Sequence, residues 1–323
     1  STLDVNPSYD KNSAVVVLPP VRGGRLADRS LRAWLAQSDL ALDPEPRELL
    51  HRVTGEIGLP YPEEGLAALR MWGQTGDRPT VWIAAADPVY LEPRRDRLYL
   101  HALRGAGIPS ADLRSLFDHL QQTLANDRRF GFARLGSNGY LRAEQPISTA
   151  SVPSYVVNQR EPGDFLPTGE HTVLHRNILG EIEMALHEHE VNLQRMEEGR
   201  QPVNSLWLWG GGVAPERTTR PQPPLFADDP LFTGYWESAT AVSDEWPGSF
   251  AACAEASVRG FVAVTPESDQ RSETLGAYLE ELRGLLRAGR ISHLVLLFRD
   301  DLRAEVRRSQ VLKFWRRDTG LLD

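Results

Sequence analysis

The segment His187–Pro215 has the residue types and the order best suited to binding chemistry. A helical pattern that carries Asn192 and Arg195 leads through a turn at Asn204 into a short aromatic strand, and three glycines follow. This order places backbone amides at the carboxyl end of a strand, where α/β proteins bind anions. We therefore expect Arg195 to pair with an anionic group, the asparagines to fix loops or ligand hydroxyls, and the glycines to supply backbone donors. The alternative is that the same residues serve the fold alone.

The triple glycine Gly210-Gly211-Gly212 allows both a functional and a structural interpretation. Backbone without side chains lets a ligand approach and receive amide hydrogens, but it also provides a tight exit from an aromatic strand. The loop lacks the Lys and Ser/Thr of a P-loop and the spacing of a dinucleotide fingerprint. Trp207 and Trp209 share one face of the strand, which favours a place in the core over a ligand platform.

A long helix is predicted over about residues 170–198, with His189 near the middle of its apolar face. The residues of that face recur at helical spacing and are Leu174, Ile178, Ile182, Ala185, Leu186, His189, Leu193 and Met196. His187 points elsewhere, so the two histidines cannot hold one metal ion from an intact helix. We expect His189 to be buried and bound to a neighbouring carbonyl.

His171 and His175 do have the i, i+4 spacing of metal ligands on a helix, and Asp164 is close in sequence. However, Thr172 follows the first histidine, where a zinc-binding helix of this type has a glutamate. These three residues are the metal candidates of the chain. The interpretation that we favour is two histidines on a helix surface.

Apolar runs bounded by turn residues predict strands that are separated by helices. The predicted strands are Ala14–Leu18, Thr80–Ala85, Arg97–His101, Ser205–Trp209, Gly260–Val264 and His293–Phe298. A turn at Asp87-Pro88 is expected to end the second of them. Gly131–Leu135 and Gly139–Arg142 flank an Asn-Gly pair, which is typical of a tight hairpin. A terminal helix is predicted around Lys313–Arg317.

The domain organisation is predicted from a change in composition. Residues 144–168 are rich in Pro, Ser, Thr and Gly and mark a seam between two halves. We expect a disordered lead-in at residues 1–13, an α+β N-terminal half at 14–145 and an α/β C-terminal half at 146–323; one intertwined domain is the alternative. The fold class is α/β, with a mixed or mostly parallel sheet flanked by helices.

Composition excludes several classes of protein. The 323 residues carry a formal net charge of −8, which argues against a dedicated nucleic-acid binder. Cys253 is the single cysteine, so neither an internal disulfide nor a cysteine zinc cluster is expected. No apolar run approaches the roughly 20 residues that cross a bilayer, and the start lacks the layout of a secretion signal. We expect a cytoplasmic protein without membrane or nucleic-acid partners.

The segment Leu186–Pro215 resembles the archaeal-type branch of the cofactor-independent phosphoglycerate mutases, in the alkaline phosphatase superfamily. The residues that follow the order of that family are His189, Asn192, Arg195, Gly199, Pro202, Asn204, Trp207, Trp209, Gly210, Gly212 and Pro215. The resemblance implies a divergent alkaline phosphatase-like fold. The ligand-binding candidates that follow from it, with Gly211 added from the triple glycine, are His189, Asn192, Arg195, Asn204, Trp207, Trp209, Gly210, Gly211 and Gly212.

Nearly the whole chain is similar to a group of bacterial proteins named phosphoglycerate mutase-like or RpfE-type regulatory proteins. The residues that carry this similarity are Ala86–Val89, Glu181–Met184, Asn204–Gly212 and Phe314–Arg317. The similarity implies a regulatory role, and it leaves the ligand, the partner and the oligomeric state open.

The mutases that the chain resembles use two metal ions held by Asp and His, and a serine that accepts the phosphoryl group. Their first strand ends in an Asp-Gly ligand, whereas Pro19-Pro20 follows the first strand here. Their last strands deliver Asp and His, whereas Arg299-Asp300-Asp301 follows here without a neighbouring histidine. We therefore predict a non-catalytic relative without a cofactor, which binds an anionic small molecule or a protein partner and acts as a regulatory module.

Two other functions stay open at this point. One is an active phosphomutase or phosphatase that uses Mn or Mg through rearranged ligands, drawn from Asp87, Asp164, His171, His175 and Asp300. The other is a protein-interaction module that works through the Pro/Gly/Trp-rich segment Gly210–Pro247 without a small ligand.

Overall fold

The computed structural model of the chain describes residues 12–103, 107–125, 129–169, 172–268, 271–308 and 320–323. Its strands are β1 (Ser13–Leu18), β2 (Asp39–Leu42), β3 (Ile83–Arg94), β4 (Arg97–Ala102), β5 (Phe130–Leu135), β6 (Asn138–Ala143), β7 (Ser205–Gly212), β8 (Leu225–Ala227), β9 (Ser243–Asp244), β10 (Gly260–Val264), β11 (His293–Phe298) and β12 (Leu302–Arg307). Its helices are α1 (Arg29–Ala36), α2 (Leu49–Ile57), α3 (Leu66–Thr75), α4 (Ser110–Leu124), α5 (Ser154–Val157), α6 (Thr172–His187), α7 (Glu190–Glu197), α8 (Pro230–Ser238), α9 (Phe250–Ala256) and α10 (Ser272–Arg287).

The chain forms two compact units whose bounds differ from the predicted halves. The first unit is discontinuous and comprises Ser1–Tyr61 and Arg217–Asp323, and the second is the continuous segment Pro62–Glu216. The predicted boundary between residues 145 and 146 therefore lies inside the second unit and is wrong. The physical reason is that β7 pairs with β3, from Val89 opposite Ser205 to Ile83 opposite Gly212. This long-range pairing places the aromatic strand in the sheet of the preceding residues.

The discontinuous unit is built on a seven-stranded mixed sheet in the order β2-β12-β11-β1-β10-β8-β9. The strands from β11 to β9 are parallel, and β12 and β2 add antiparallel pairs at one edge. Its central strands are buried throughout, which is why they read as continuous apolar runs. Helices α1, α9 and α10 share one apolar core with these strands. The predicted mixed, mostly parallel sheet flanked by helices is confirmed.

The continuous unit has an antiparallel sheet in the order β4-β3-β6-β5, with β7 also paired to β3. Helices α4 and α6 pack on it through a second apolar core. The predicted α+β character thus belongs to residues 62–216 rather than to 14–145. The predicted hairpin is present as β5 and β6, which pair from Leu135 opposite Asn138. Its turn is Gly136-Ser137, so the Asn-Gly pair lies in β6 rather than in the turn.

The long helix predicted over residues 170–198 is two helices, α6 and α7, and that prediction is wrong. His189 is extended rather than helical, and its Nδ1 accepts the amide of Val191, 3.1 Å away, as the N-cap of α7. The side chain accepts a hydrogen bond from one of the amides that have no partner at a helix start, and this stabilises the interruption between α6 and α7. Leu193 and Met196 on α7, and Leu174 on α6, are about half exposed rather than buried as predicted.

Several predictions concern chain ends. Ser13 already belongs to β1, so the lead-in predicted at residues 1–13 is one residue too long at this point. Residues 1–11 of that lead-in, and the terminal helix predicted around Lys313–Arg317, lie outside the described residues. In the part of the chain that is described, no helix has the length and apolar character needed to cross a membrane.

Candidate functional site

The Asn192 side chain joins the end of one helix to the turn before β7. Its Nδ2 donates to the carbonyls of Leu186 at 2.8 Å and Val203 at 2.7 Å, and its Oδ1 accepts the amide of Val203 at 2.8 Å. The residue is almost fully buried. These contacts use both ends of the amide group inside the protein, so they favour the structural interpretation of Asn192.

The Arg195 guanidinium is buried and holds loops together. Its Nε donates to the Gln201 carbonyl at 2.8 Å and its Nη1 donates to the Gly107 carbonyl at 3.0 Å. Only 3% of the residue is exposed. An anion would have to reach a group that already donates to two backbone carbonyls, so these contacts do not support Arg195 as an anion anchor.

Asn204 pairs with a single residue of β3. Its Oδ1 accepts the Leu91 amide at 2.8 Å, and its Nδ2 donates to the Leu91 carbonyl at 2.9 Å. The side chain thereby imitates one residue of a β ladder where the chain enters β7. The amide does tie two segments together, but the second segment is a strand rather than a loop.

Both tryptophans of β7 are buried and their indole N–H groups have protein partners. Trp207 donates to the Val152 carbonyl at 2.8 Å, and Trp209 donates to Oδ2 of Asp87 at 2.7 Å. Buried indoles need such a partner because an unpaired N–H would carry a desolvation penalty. Trp207 and Trp209 are therefore built into the interior of the continuous unit.

Asp87 and Trp209 belong to a buried polar cluster that sequence reasoning missed. Arg70, on α3, donates from Nη1 to both carboxylate oxygens of Asp87, at 3.0 and 3.1 Å, and from Nη2 to the Gly139 carbonyl at 2.9 Å. Its Nε donates to the Tyr140 hydroxyl at 3.1 Å. Burial opposes the charge of Arg70, but the attraction of Asp87 outweighs it and raises the pKa of the guanidinium.

One sequence signal could have revealed this cluster. Arg70 is a charged residue within the apolar helix LAALRMWGQT, where Leu69 and Trp72 are fully buried. An arginine on a buried helix face requires a carboxylate or several carbonyls nearby. Since Asp87 is held by Arg70 and Trp209, its carboxylate does not fit the role of a rearranged metal ligand.

The amides of Gly210 and Gly211 already have partners within the protein. Gly210 N donates to the Ala150 carbonyl and Gly211 N donates to Oγ1 of Thr149, both at 2.9 Å. The Gly211 carbonyl in turn accepts the amide of Gly65 at 3.3 Å. An anion cradle needs amide hydrogens that point to open space. The contacts therefore favour the interpretation of a tightly packed strand end.

The predicted ligand-binding residues are not brought to one place. Asn192, Arg195 and Asn204 lie at the start of β7, and the glycines form its other end. At about 3.3 Å per strand residue, Asn204 and Gly210 are roughly 20 Å apart. A strand keeps its two ends apart however it packs, so the candidates cannot form one corner around a small ligand.

The histidine candidates occupy different settings. His189 contacts His119 edge-on, with ring centroids 4.9 Å apart, and burial followed by the charge of His119 lowers its pKa. It is half-buried, and its ring accepts an amide rather than binding a carbonyl as predicted. His175 was predicted on a helix surface but is only 5% exposed. Its Nδ1 lies 2.9 Å from the Ser148 carbonyl, and burial lowers its pKa.

The metal candidates do not form a ligand set. Asp164 is exposed in a short 3-10 turn, and His171 lies outside the described residues. Among the residues that the structure describes, no group of three or more His, Cys, Asp or Glu side chains is arranged to hold a metal ion. Asp164 and His175, the two candidates that the structure describes, therefore do not belong to such a group.

The carboxyl edge of the parallel sheet in the discontinuous unit is where the resemblance places metal ligands. Pro19 follows β1 here, and Oδ2 of Asp300, after β11, accepts the amides of Val21 at 2.8 Å and Arg22 at 2.7 Å. Asp229, after β8, caps α8. These carboxylates hold backbone, and the donor set at this edge does not fit a pair of metal ions.

Glu48 is the most perturbed carboxyl group of the discontinuous unit. It is the N-cap of α2, where Oε2 accepts the Leu50 amide and Oε1 accepts the His51 amide, both at 2.8 Å. The side chain is buried, and desolvation outweighs the hydrogen bonds from these amides and Tyr61 and raises the pKa of Glu48 to about 7. A group with this pKa changes its charge near neutral pH.

The raised pKa of Glu48 predicts a stability that falls as the pH rises. The unfolded chain releases the proton near pH 4.5 and the folded protein holds it to about pH 7. Across that window the free energy of unfolding should fall by up to roughly 3 kcal/mol and then level off. Urea unfolding as a function of pH measures this. In the E48Q variant this fall of the unfolding free energy with pH should disappear. The control E255Q, at an exposed site, should keep it. An unchanged pH dependence in E48Q would contradict the assignment of the effect to Glu48.

Comparison with known proteins connects the chain to one class of enzyme. No protein-family model matches it. It is 29% identical over 113 residues to the 2,3-bisphosphoglycerate-independent phosphoglycerate mutase of Methanosarcina barkeri, which is 34% of this chain and 28% of that protein. A probable enzyme of the same name from Geobacter sulfurreducens is 27% identical over 128 residues, 39% of this chain and 32% of that protein. The chain is thus distantly homologous to the cofactor-independent phosphoglycerate mutases.

The matches cover only part of each curated protein. The matched segments span about a third or less of the curated relatives. Among solved structures, the cofactor-independent phosphoglycerate mutase of Thermoplasma acidophilum superposes with a TM-score of 0.41 at 18% identity, over 92% of this chain and 89% of that one. A protein from Pyrococcus horikoshii superposes with a TM-score of 0.44 at 11% identity, over 92% and 87%.

Proposed function

We propose that this chain is a divergent phosphoglycerate mutase-like protein that binds an anionic small molecule or a protein partner and acts as a regulatory module. In this proposal it is a cytoplasmic protein of the bacterial RpfE-type group and does not perform metal-dependent phosphoryl transfer. The observation that carries the proposal is the use of the sheet-edge carboxylates as backbone acceptors, above all Asp300 with the amides of Val21 and Arg22.

The physical argument concerns the charge that develops during phosphoryl transfer. Two metal ions stabilise the attacking and leaving oxygens, and each lost interaction forfeits several kcal/mol of transition-state stabilisation. Oδ2 of Asp300 is used by two amides and only its buried Oδ1 has no hydrogen-bond partner among the described atoms, while Pro19 offers no donor side chain where the resemblance places an aspartate. One carboxylate oxygen is far fewer donors than two metal ions require. The homologous scaffold then remains available for binding rather than catalysis.

A phosphoryl-transfer assay tests the proposal. We expect no conversion of 3-phosphoglycerate and no hydrolysis of p-nitrophenyl phosphate with added Mn²⁺ or Mg²⁺, under conditions in which the Methanosarcina barkeri mutase is active. Metal analysis of the purified protein accompanies the assay. Stoichiometric bound metal together with turnover that D300N abolishes would refute the proposal.

The second candidate is an active phosphomutase or phosphatase with Mn or Mg at rearranged ligands. It is supported by the names of the relatives, since the matched proteins from Methanosarcina barkeri and Methanosarcina acetivorans are both phosphoglycerate mutases. The same assay separates the two candidates, because turnover and bound metal are expected of the second and not of the first.

A further inference from the structure

Among the described residues, one cleft of the discontinuous unit is lined by four arginines and by no acidic side chain. It lies between α1, α10 and the end of β12 and has a volume of about 270 Å³. Its cationic wall consists of Arg283, Arg287, Arg307 and Arg308. Several guanidinium groups around one cavity repel one another, and a bound anion relieves that repulsion.

The base of the cleft is a buried and oriented arginine. The side chain of Arg283 is only 8% exposed, and its Nη1 donates to Oγ of Ser30 on α1 at 2.8 Å. Its Nη2 pairs with Glu280 at 2.5 Å, but that glutamate is mostly exposed and its charge is screened by solvent. The buried Nε of Arg283 has no hydrogen-bond partner among the described atoms. Buried donors without a partner are uncommon in native structures, and an anion bound in the cleft would satisfy this one.

The other arginines leave an excess of positive charge. Arg287 and Arg308 form no ion pair with another described residue. Nη2 of Arg307 lies 3.1 Å from Glu305, and Glu305 also pairs with Arg303, which Glu56 binds as well. Arg307 therefore shares this carboxylate with a second arginine, and the described lining of the cleft itself carries four arginines and no carboxylate.

The remaining wall of the cleft is apolar and indicates the size and nature of a ligand. Ala33, Trp34, Leu286 and Val306 line this side. The volume is slightly below the range of about 300–1,000 Å³ that is usual for drug-sized ligands. A multiply charged head group with a small organic substituent matches both walls, because guanidinium forks suit phosphate oxygens and the apolar side suits carbon.

We infer that this cleft binds the phosphate group of a small phosphorylated compound. The inference deepens the proposed function and rests on it for the role of anion binding. It assigns that role to the α1–α10 cleft instead of to Arg195 and the triple glycine, whose donors are used by the protein itself.

Titration calorimetry on the full chain tests the site, with glycerol 3-phosphate and inorganic pyrophosphate as probes at low ionic strength. We expect both probes to bind and the R287Q/R308Q variant to weaken binding by roughly tenfold or more, since each substitution removes a charge-assisted contact. The matched control is R25Q/R259Q, which removes the same two charges from exposed turns outside the cleft. It should bind as the unaltered chain does.

Two results would overturn the inference. One is the absence of heat with both probes for the unaltered chain. The other is an equal loss in R25Q/R259Q, which would show a general effect of net charge. Thermal unfolding of each variant verifies that it is folded. The two proposals can fail separately. If the chain shows turnover in the phosphoryl-transfer assay and R287Q/R308Q does not change it, the proposed function is refuted but the site is not. If the chain shows neither turnover nor probe binding, the site alone is refuted.

Discussion

Replacing Arg70 by methionine is expected to lower the free energy of unfolding by about 3–5 kcal/mol, the usual cost of breaking a buried ion pair from one side. The change leaves the buried Asp87 carboxylate with the Trp209 indole as its remaining side-chain donor among the described residues, and it leaves the Gly139 carbonyl without the arginine. Both groups would stay desolvated because the surrounding helix and strands are buried. Urea unfolding followed by tryptophan fluorescence measures the loss.

An exposed ion pair of the same unit provides the control for Arg70. Arg78 pairs with Glu216 at 3.3 Å, and the Glu216 side chain is 85% exposed. E216Q should therefore change the free energy of unfolding by less than about 1 kcal/mol. Adding D87N to R70M should recover part of the loss, because it removes the unpaired charge. A cost below about 1 kcal/mol for R70M would show that the cluster does not stabilise the fold.

Replacing Gly212 by alanine is expected to cost about 3 kcal/mol or more of unfolding free energy. A Cβ at this position would lie 2.5 Å from the backbone nitrogen of Gly65, and the φ of +150° is one that L residues rarely adopt. Since the nearest atom is backbone, relief requires movement of the start of α3 rather than of a flexible side chain. Urea unfolding of G212A measures the effect.

Gly180 provides a matched control for this substitution. It lies exposed on α6, and a Cβ there would have no neighbour within 4 Å. G180A should leave stability unchanged or raise it by up to about 1 kcal/mol, because alanine favours a helix more than glycine. Unchanged stability in G212A would contradict the packing interpretation of the glycine loop and return the ligand-cradle interpretation.

Local patterns predicted the elements that depend on neighbouring residues. The apolar runs of β1, β10 and β11 became buried strands because a parallel sheet covered on both faces needs no alternation. The Asn138-Gly139 pair predicted a hairpin at this point of the chain, and β5 and β6 form one, but the turn residues are Gly136 and Ser137 and the predicted pair begins β6. In both cases the information lies within a few residues of the chain.

Other elements departed from the local pattern. The turn at Asp87-Pro88 was expected to end a strand, and β3 instead continues to Arg94 because it has partners along its length: β6 and β7 first, then β4. The helix predicted over residues 170–198 breaks at His189, whose ring caps the second helix. Periodicity reports a preference of the segment, whereas strand pairing and capping add energies that periodicity does not contain.

Local residue patterns were enough to specify the mixed α/β class, the apolar strands of the parallel sheet and the lack of an aspartate after β1. Which polar groups are occupied by the protein itself became visible in the folded chain. Asn192, Arg195 and the glycines donate to the protein's own backbone and side chains, and Arg283 meets Ser30 across 253 positions of the chain. The physical reason is that a donor's availability depends on what packs against it, and long-range packing brings together residues that no local spacing relates.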